Sequence, residues 1–517
     1  MRVHLVNPSD LSFGTAVITP RWLYVLAAST PDRYGTPILV DETLEAFDAG
    51  TVGPGDVVGI GIHTANALRG YAIGQTVRAR GAWAVFGGIH ATLFPDEVRR
   101  HGAAHSVVGG DGDRVWARVL GDCERGAPDA SYDGGRIEGE AFSAARWDLL
   151  PENRYMWGSV QTVRGCPKSC SFCSVWRTDG QTPRQPRVAD VVSEVVALRR
   201  KGLRFVALAD DNFYPVTLAD LAAADRRADK TRLARLTALR QERFDLMSAL
   251  ERLPDDMVFF TQITMEAAED PEFLAAMRRA RIRGALVGIE AVTPEGLKAL
   301  HKTFNDAGEA LVTRLQAFRA SGVHVLGSFI FGLPTDNADT FTATADLAQR
   351  SGVSFAQFVM LQPFPGTLDF TRWERQATQE PEVDGIPLTR YWLIRPERRP
   401  KVYIPHPTMS ADAIRRGTQQ VWDRFYALSA VWKRSTCVKS WRARMAFVVI
   451  SKLYRQMYAN TGIATDSARV AKAARRARWL AKGARRLFVA APMPDLQNPF
   501  ATPDAPATGQ YRVGVIS

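Results

Sequence analysis

The sequence predicts an α/β protein: a doubly wound parallel sheet, then an open barrel of six strand-and-helix units, a partial (β/α)6 barrel, then a mostly helical C-terminal region. Three observations predict it. Short apolar runs alternate with helix-length segments over the first 110 residues, a second series of such runs between 159 and 361 ends in polar residues, and apolar and basic residues mix at helical spacing after 410. They divide the chain into 1–140, a linker at 141–157, a barrel at 158–370, a helical basic region at 371–490, and a Pro- and Ala-rich tail at 491–517 expected to be disordered.

In chain order, apolar runs at 3–6, 38–40, 57–62, 84–88 and 106–110 read as strands, with helices at 67–80 and 96–101 between them. In such a sheet a ligand lies beyond the carboxyl ends of the strands. Glycines stand at those ends, in Gly87-Gly88-Ile89-His90-Ala91-Thr92 and in Gly109-Gly110-Asp111-Gly112-Asp113, where a missing side chain lets the backbone approach a bulky ligand. Tight turns alone would also account for them. A stretch rich in Gly, Ser and Asp at 129–145 reads as a linker.

The alternating run 159–164 delivers Cys166, Cys170 and Cys173, three of the chain's five cysteines, within eight residues. Soft thiolates at C-x3-C-x2-C spacing suit an iron–sulfur cluster with one iron left without a protein ligand. A zinc knuckle wants a fourth Cys or His at close spacing, and a disulfide would leave one thiol over. Further strands are expected at 205–209, 259–264, 285–290, 323–331 and 355–361, with helices at 188–201 and 293–302. Polar residues end nearly every strand: Asp210, Asp211 and Asn212, then Thr264 and Glu266, then Glu290, then Thr335 and Asp336. On a barrel these ends build the chemistry, although each acid could instead cap the next helix.

The triplet, with Phe172 just before its last cysteine, resembles the signature of the radical S-adenosylmethionine (SAM) enzymes. The two glycine turns resemble the Rossmann-like cobalamin-binding domain that precedes many of them. Asp210-Asp211-Asn212-Phe213, Val287-Gly288-Ile289-Glu290, the 331–336 turn and 363–367 are similar, in order and spacing, to the cobalamin-linked group. That resemblance implies a partial TIM barrel and three cofactors: a [4Fe-4S] cluster on Cys166, Cys170 and Cys173, SAM, and cobalamin. It places Gly87, Gly88, His90, Thr92, Gly110 and Asp111 at cobalamin, with no histidine beneath the cobalt because the Asp-x-His-x-x-Gly motif is absent. It places Asp210, Asp211 and Asn212 at the methionine amino group, Glu266 at the ribose, and Gly288 and Glu290 along the adenosine. The implied activity is methyl transfer to an unactivated carbon of a small, lipid-like or tetrapyrrole substrate, by way of a 5'-deoxyadenosyl radical and methylcobalamin. Such inert C–H bonds are chemistry that cofactors carry. The alternative keeps both cofactors in a cyclase or ring-rearranging enzyme. An external electron donor of the flavodoxin or ferredoxin kind is implied as a partner.

Composition fits a soluble protein of several domains: 517 residues, 46% hydrophobic and 23% charged. With no signal-like opening and no run of about 18 apolar residues, a cytoplasmic location is expected, and reduced thiols suit it. The charge of +12 is concentrated: residues 433–486 hold fifteen Lys and Arg against one acid, Asp466. Two basic amphipathic stretches, 441–458 and 467–488, fit peripheral contact with the inner membrane surface or a solvated face on helices packed against the barrel. Nucleic acid ranks third, because aromatics are sparse there.

Overall fold

In the computed structural model, residues 1–10, 16–377 and 381–460 are described. The strands of the two main sheets are β1 (Val3–Asn7), β2 (Ala16–Ile18), β3 (Ile38–Asp41), β4 (Val57–Gly61), β5 (Trp83–Gly87), β6 (Ser106–Gly109), β7 (Ser131–Asp133), β8 (Tyr155–Val160), β9 (Phe205–Leu208), β10 (Val258–Ile263), β11 (Ile282–Glu290), β12 (His324–Phe331) and β13 (Phe355–Met360).

The first sheet has the order β3-β1-β4-β5-β6-β7, and every pair in it is parallel. Its strands are short, mostly buried apolar runs, as strands covered on both faces must be. The order reverses beside β1, so a crevice opens beyond the carboxyl ends of β1 and β4. The stretch 129–145, expected as linker, contributes a sixth strand here. Tyr132 supplies the reason: it is buried, and its hydroxyl both donates to Asp122 at 2.8 Å and accepts from the Asp129 backbone N–H at 2.9 Å.

The second sheet runs β13-β12-β11-β10-β9-β8-β2, again all parallel, and forms the open barrel. Both edges of its six barrel strands, β8 to β13, are covered. On one side β2, from the N-terminal part of the chain, pairs with β8, Ala16 against Tyr155 and Ile18 against Trp157. On the other, the helix Ala411–Phe425 lies along β13: Trp422 Nε1 donates to Phe358 O at 2.7 Å, and the Tyr426 hydroxyl bonds both the N–H and the carbonyl of Ala356. Side chains thus take the place of a further strand and satisfy edge groups that would otherwise template aggregation. The first barrel strand starts at Tyr155, inside the stretch expected as linker, and ends at Val160, before the expected end at Arg164.

One apolar core joins the sheets. It runs from Leu5 and Trp116 through Tyr24 and Trp147, whose rings are 4.8 Å apart, to Val195 and Leu208. Trp147 Nε1 donates to Glu194, which also pairs with Arg21. Phe331, Phe341 and Phe358 stack within this core. A second core returns the chain to the first sheet after the barrel, with Phe370, Leu388, Trp392 and Tyr403 against Phe86 and Val98. The expected helix at 441–458 is present as Trp441–Asn460, and the helix Ala411–Phe425 before it begins with Ser410 accepting from Ala413 N. The 22-residue helix Lys230–Glu251 was not foreseen. The second basic stretch and the tail lie outside the described residues.

Candidate active site

β8 ends at the barrel mouth, and the four residues after it lead into the cysteine loop. Two buried charges hold that lead. Asp210 accepts from Thr162 N at 2.6 Å, Thr162 Oγ1 at 2.7 Å and Val163 N at 2.8 Å, while Arg243 donates to Thr162 Oγ1 at 2.7 Å and Thr162 O at 3.0 Å. Burial pushes the Asp210 carboxyl up, and Arg243 with the three hydrogen bonds pulls it back. Asp211 Oδ2 accepts from Gly165 N at 2.7 Å, next to the first cysteine.

The loop carries Cys166, Cys170 and Cys173 as free thiols. It is pinned from several sides: Cys166 N to Gly180 O, Ser171 N to Leu300 O, and Trp176 Nε1 to Cys170 O. Burial pushes the Cys166 thiol up to about 12 and Cys173 to about 11, and the neighbouring sulfurs add to it. Such a group of thiols binds iron by giving up protons. Among the described residues no fourth Cys or His joins these three as a metal-holding group, and three soft donors suit a cluster with one open iron better than a closed tetrahedral zinc site.

Two lysines that the sequence reading passed over flank the loop. Lys168, within the triplet, pairs with Glu266 at 2.8 Å, and Lys302 pairs with Glu290 at 3.1 Å. Both ammonium groups lie over the Phe304 ring. Lys302 is buried; burial would lower its ammonium, but Glu290 and Cys170 hold it above the usual lysine range. Glu290 has φ +67° beside a register shift against β12, a backbone state that costs a non-glycine residue about 1–3 kcal/mol and clusters at functional sites. Gly288 makes room for this pair: a Cβ there would lie 2.3 Å from Glu290 Oε1 and 2.7 Å from Lys302 Nζ. Lys168 was legible within the triplet; Lys302 carried no motif.

The crevice beyond β1 and β4 holds a cavity of about 570 Å³. Gly87, Gly88, Gly110 and Asp111 line it from the first sheet, and Ser159, Gln161 and Arg164 line it from the barrel. Gly88 has φ +92°, and a Cβ would sit 2.5 Å from Ile62 O, so only glycine fits. Arg164, two residues before Cys166, donates to Asp111 Oδ1 at 2.5 Å, and Arg184 donates to Asp111 Oδ2 at 3.3 Å. The cavity wall and the cysteine loop are therefore one connected piece. His63, also missed, is in this wall, its Nδ1 accepting from Ala65 N.

Several expected contacts turn away from these spaces. His90 is fully buried: its ring bonds Tyr71 Oη at 3.0 Å, Glu97 at 3.2 Å and Thr64 at 3.3 Å, and Trp392 stands edge-on at 5.4 Å. It belongs to a core network rather than to the cavity. Thr92 is exposed, and its hydroxyl bonds Gly88 O and Gly110 N, tying the two glycine turns together. Asp210 braces Thr162 instead of facing the barrel mouth. Asn212 is 1% exposed, its Oδ1 accepting from Tyr214 N and Thr264 N. A strand-end motif looks the same in sequence whether its side chains face in or out.

Burial would raise the Glu97 carboxyl, but hydrogen bonds from His90, Tyr71 and Trp392 hold it below the usual carboxylate range. Its stabilising effect is therefore complete above about pH 4.3, the ordinary glutamate value, and is lost as pH falls through the lower folded value. Glu97→Gln is expected to cost about 1–3 kcal/mol at neutral pH and to flatten the acid side of the stability curve, measured by urea unfolding between pH 7 and pH 3.

A sequence model of the Radical SAM superfamily matches residues 160–348, the barrel from the end of β8 to the helix before β13. The chain carries a radical SAM domain. The [4Fe-4S] cluster and SAM are the cofactors of that domain, and the cysteine loop lies within the matched residues. Among curated relatives, the bacteriochlorophyllide d C-12(1)-methyltransferase of Chlorobaculum tepidum is 27% identical over 325 residues, covering 60% of this chain and 64% of the relative. The hopanoid C-2 methylase of Rhodopseudomonas palustris is 27% identical over 373 residues, covering 70% and 65%. The matched part thus spans just under two thirds of each relative. Among solved structures, the radical SAM methyltransferase TsrM of Kitasatospora setae, with cobalamin and a [4Fe-4S] cluster bound, is similar in fold. Its TM-score is 0.58 at 17% identity, covering 85% of this chain and 89% of that one. No helix among the described residues is long and apolar enough to cross a membrane.

Proposed function

We propose that this radical SAM protein is a cobalamin-dependent C-methyltransferase acting on an unactivated carbon of a small molecule, lipid-like or tetrapyrrole in kind. The observation that carries the reading is the shared wall. The glycine turns of the first sheet and Gln161 and Arg164 of the cysteine-loop lead bound one cavity, so a ligand held on the first sheet lies against the segment that carries the cluster cysteines. The relatives named for a tetrapyrrole and a hopanoid support the substrate class.

In this reading residues 1–140 hold cobalamin, 141–157 connect, 158–370 hold the cluster and SAM, and the basic region from 371 packs through its described part, to residue 460, against the two sheets. Gly87, Gly88 and Gly110 offer the close backbone approach a corrin needs, and Asp111 fixes the turn through Arg164. Bound together, the three cofactors supply a 5'-deoxyadenosyl radical and a methyl group. Lys168 and Glu266 at one flank, and Lys302 and Glu290 at the other, present both signs of charge to the amino, carboxylate and ribose groups of SAM. The apolar core around the site keeps water from the radical. Electrons come from a flavodoxin- or ferredoxin-like donor. The basic C-terminal helices touch an anionic membrane surface.

The test uses anaerobically reconstituted protein, a strong reductant, SAM labelled in its methyl group, and an extract of candidate acceptors. The expected product is heavier than its acceptor by one methylene and carries the label. SAM cleavage accompanied by an unlabelled, rearranged product would replace this reading with a cyclase.

A further inference from the structure

The helix Trp441–Asn460 has two different faces. Phe447 and Tyr454 pack on Phe355, the first residue of β13, with ring centroids at 5.2 and 5.6 Å, and Ser451 beside them is fully buried. Trp441, Met445 and Val449, four residues apart in turn, are 62, 42 and 53% exposed. The neighbouring helix Leu428–Arg434 adds Leu428 and Trp432 to the exposed set, and the Trp432 and Trp441 rings meet at 5.3 Å. Large apolar side chains this exposed are costly to leave in water when they gather in one place.

The charge around them is of one sign. Residues 428–460 contain seven Lys and Arg and no acid. Lys433, Lys439 and Arg442 are exposed at the rim, and the Arg444 guanidinium lies 4.4 Å from the Trp432 ring centre. A protein partner or a second copy would need to match five apolar groups with an acidic surround, whereas a bilayer rich in anionic lipid offers both layers at the right depth.

We infer that Leu428, Trp432, Trp441, Met445 and Val449 form the surface by which this chain lies on an anionic membrane, their side chains in the headgroup boundary and the three rim bases on lipid phosphates. This deepens the proposed membrane contact and does not depend on the proposed chemistry. It also fixes an orientation. Phe355 is at the amino end of β13, and in an all-parallel barrel that end is opposite the cysteine loop. The cysteine-bearing mouth therefore faces away from the bilayer, open to a soluble electron donor, and an apolar substrate reaches it only after leaving the lipid.

The experiment is flotation of the full chain, without substrate, on phosphatidylcholine vesicles with and without one third phosphatidylglycerol, at low and high salt. Binding is expected only with the anionic lipid and is expected to weaken as salt rises. The triple variant Lys433→Glu, Lys439→Glu, Arg442→Glu is expected to bind about a hundredfold more weakly. The variant Trp441→Ser, Met445→Ser, Val449→Ser should lose binding while keeping its unfolding midpoint and its reductive SAM cleavage. Brominated lipid should quench tryptophan fluorescence in the parent and not in Trp432→Phe, Trp441→Phe.

Unchanged binding in the charge and apolar variants would overturn the proposal. So would a vesicle-free dimer that either variant dissolves, or loss of binding on removing residues 461–517 while the apolar variant still binds. All of these readings are independent of whether a methylated product forms.

Discussion

Cys170→Ala is expected to give a folded protein that holds no stable four-iron cluster after anaerobic reconstitution and cleaves SAM at background rate. Cys170 is the most buried of the three thiols, 7% exposed, and its carbonyl receives Trp176 Nε1. Losing a neighbour of a metal ligand already costs about 10–100-fold in affinity or activity, so loss of the ligand itself should exceed about a hundredfold. The backbone contacts of the loop do not involve the sulfur, so the unfolding midpoint of the metal-free protein should barely move. Iron and sulfide content, the visible absorption of the cluster and 5'-deoxyadenosine release are the measurements. Unchanged cleavage in this variant would remove the assignment of the site.

Asp210→Ala is expected to act quite differently, through stability. The carboxylate and the Arg243 guanidinium grip Thr162 from two sides, and both are nearly inaccessible, 5 and 2% exposed. Removing one partner leaves the other charge buried and unpaired, which costs about 3–5 kcal/mol. Arg243 Nε already lacks a hydrogen-bond partner, so little remains to absorb the loss. Replacing both, as in Asp210→Ala with Arg243→Met, should recover a large part of the deficit, because no unpaired charge is then left inside. Urea unfolding of the single and double variants measures this. A double variant no more stable than the single would show that the two charges are not coupled. A SAM-binding defect at unchanged stability would return Asp210 to the role its position in the motif suggested.

That contrast shows how far the sequence reaches. Apolar runs located five of the six long barrel strands and five of the six strands of the first sheet, because a parallel strand buried on both faces leaves an unbroken run; the first barrel strand, expected at 159–164, lies four residues earlier at Tyr155–Val160. β7 and β2 escaped notice since each is three residues long, too short for any period. The cysteine triplet stood out because its spacing alone suits iron and sulfur, and the structure carries it as three free thiols on one loop. Whether Asp210, Asn212 or His90 faces a ligand depends on which way a side chain turns after the strand ends, and on distant partners such as Arg243 and Trp392. Trp392 donates to Glu97 from 295 residues away. No local pattern reports such pairings, and the same is true of Lys302, whose place beside Glu290 follows from the bulge.

β2 gives the N-terminal part of the chain a claim on the barrel. Through Ala16 and Ile18 it hydrogen-bonds along Tyr155–Trp157, and Thr19 follows with a bond to Trp157 O and side-chain contact with Ser159. A gene trimmed to begin after residue 150 would leave that rim of β8 bare and sticky, so the catalytic half is expected to precipitate when made by itself. Grafting this barrel behind a foreign leading module would require carrying the 16–19 ribbon along with it.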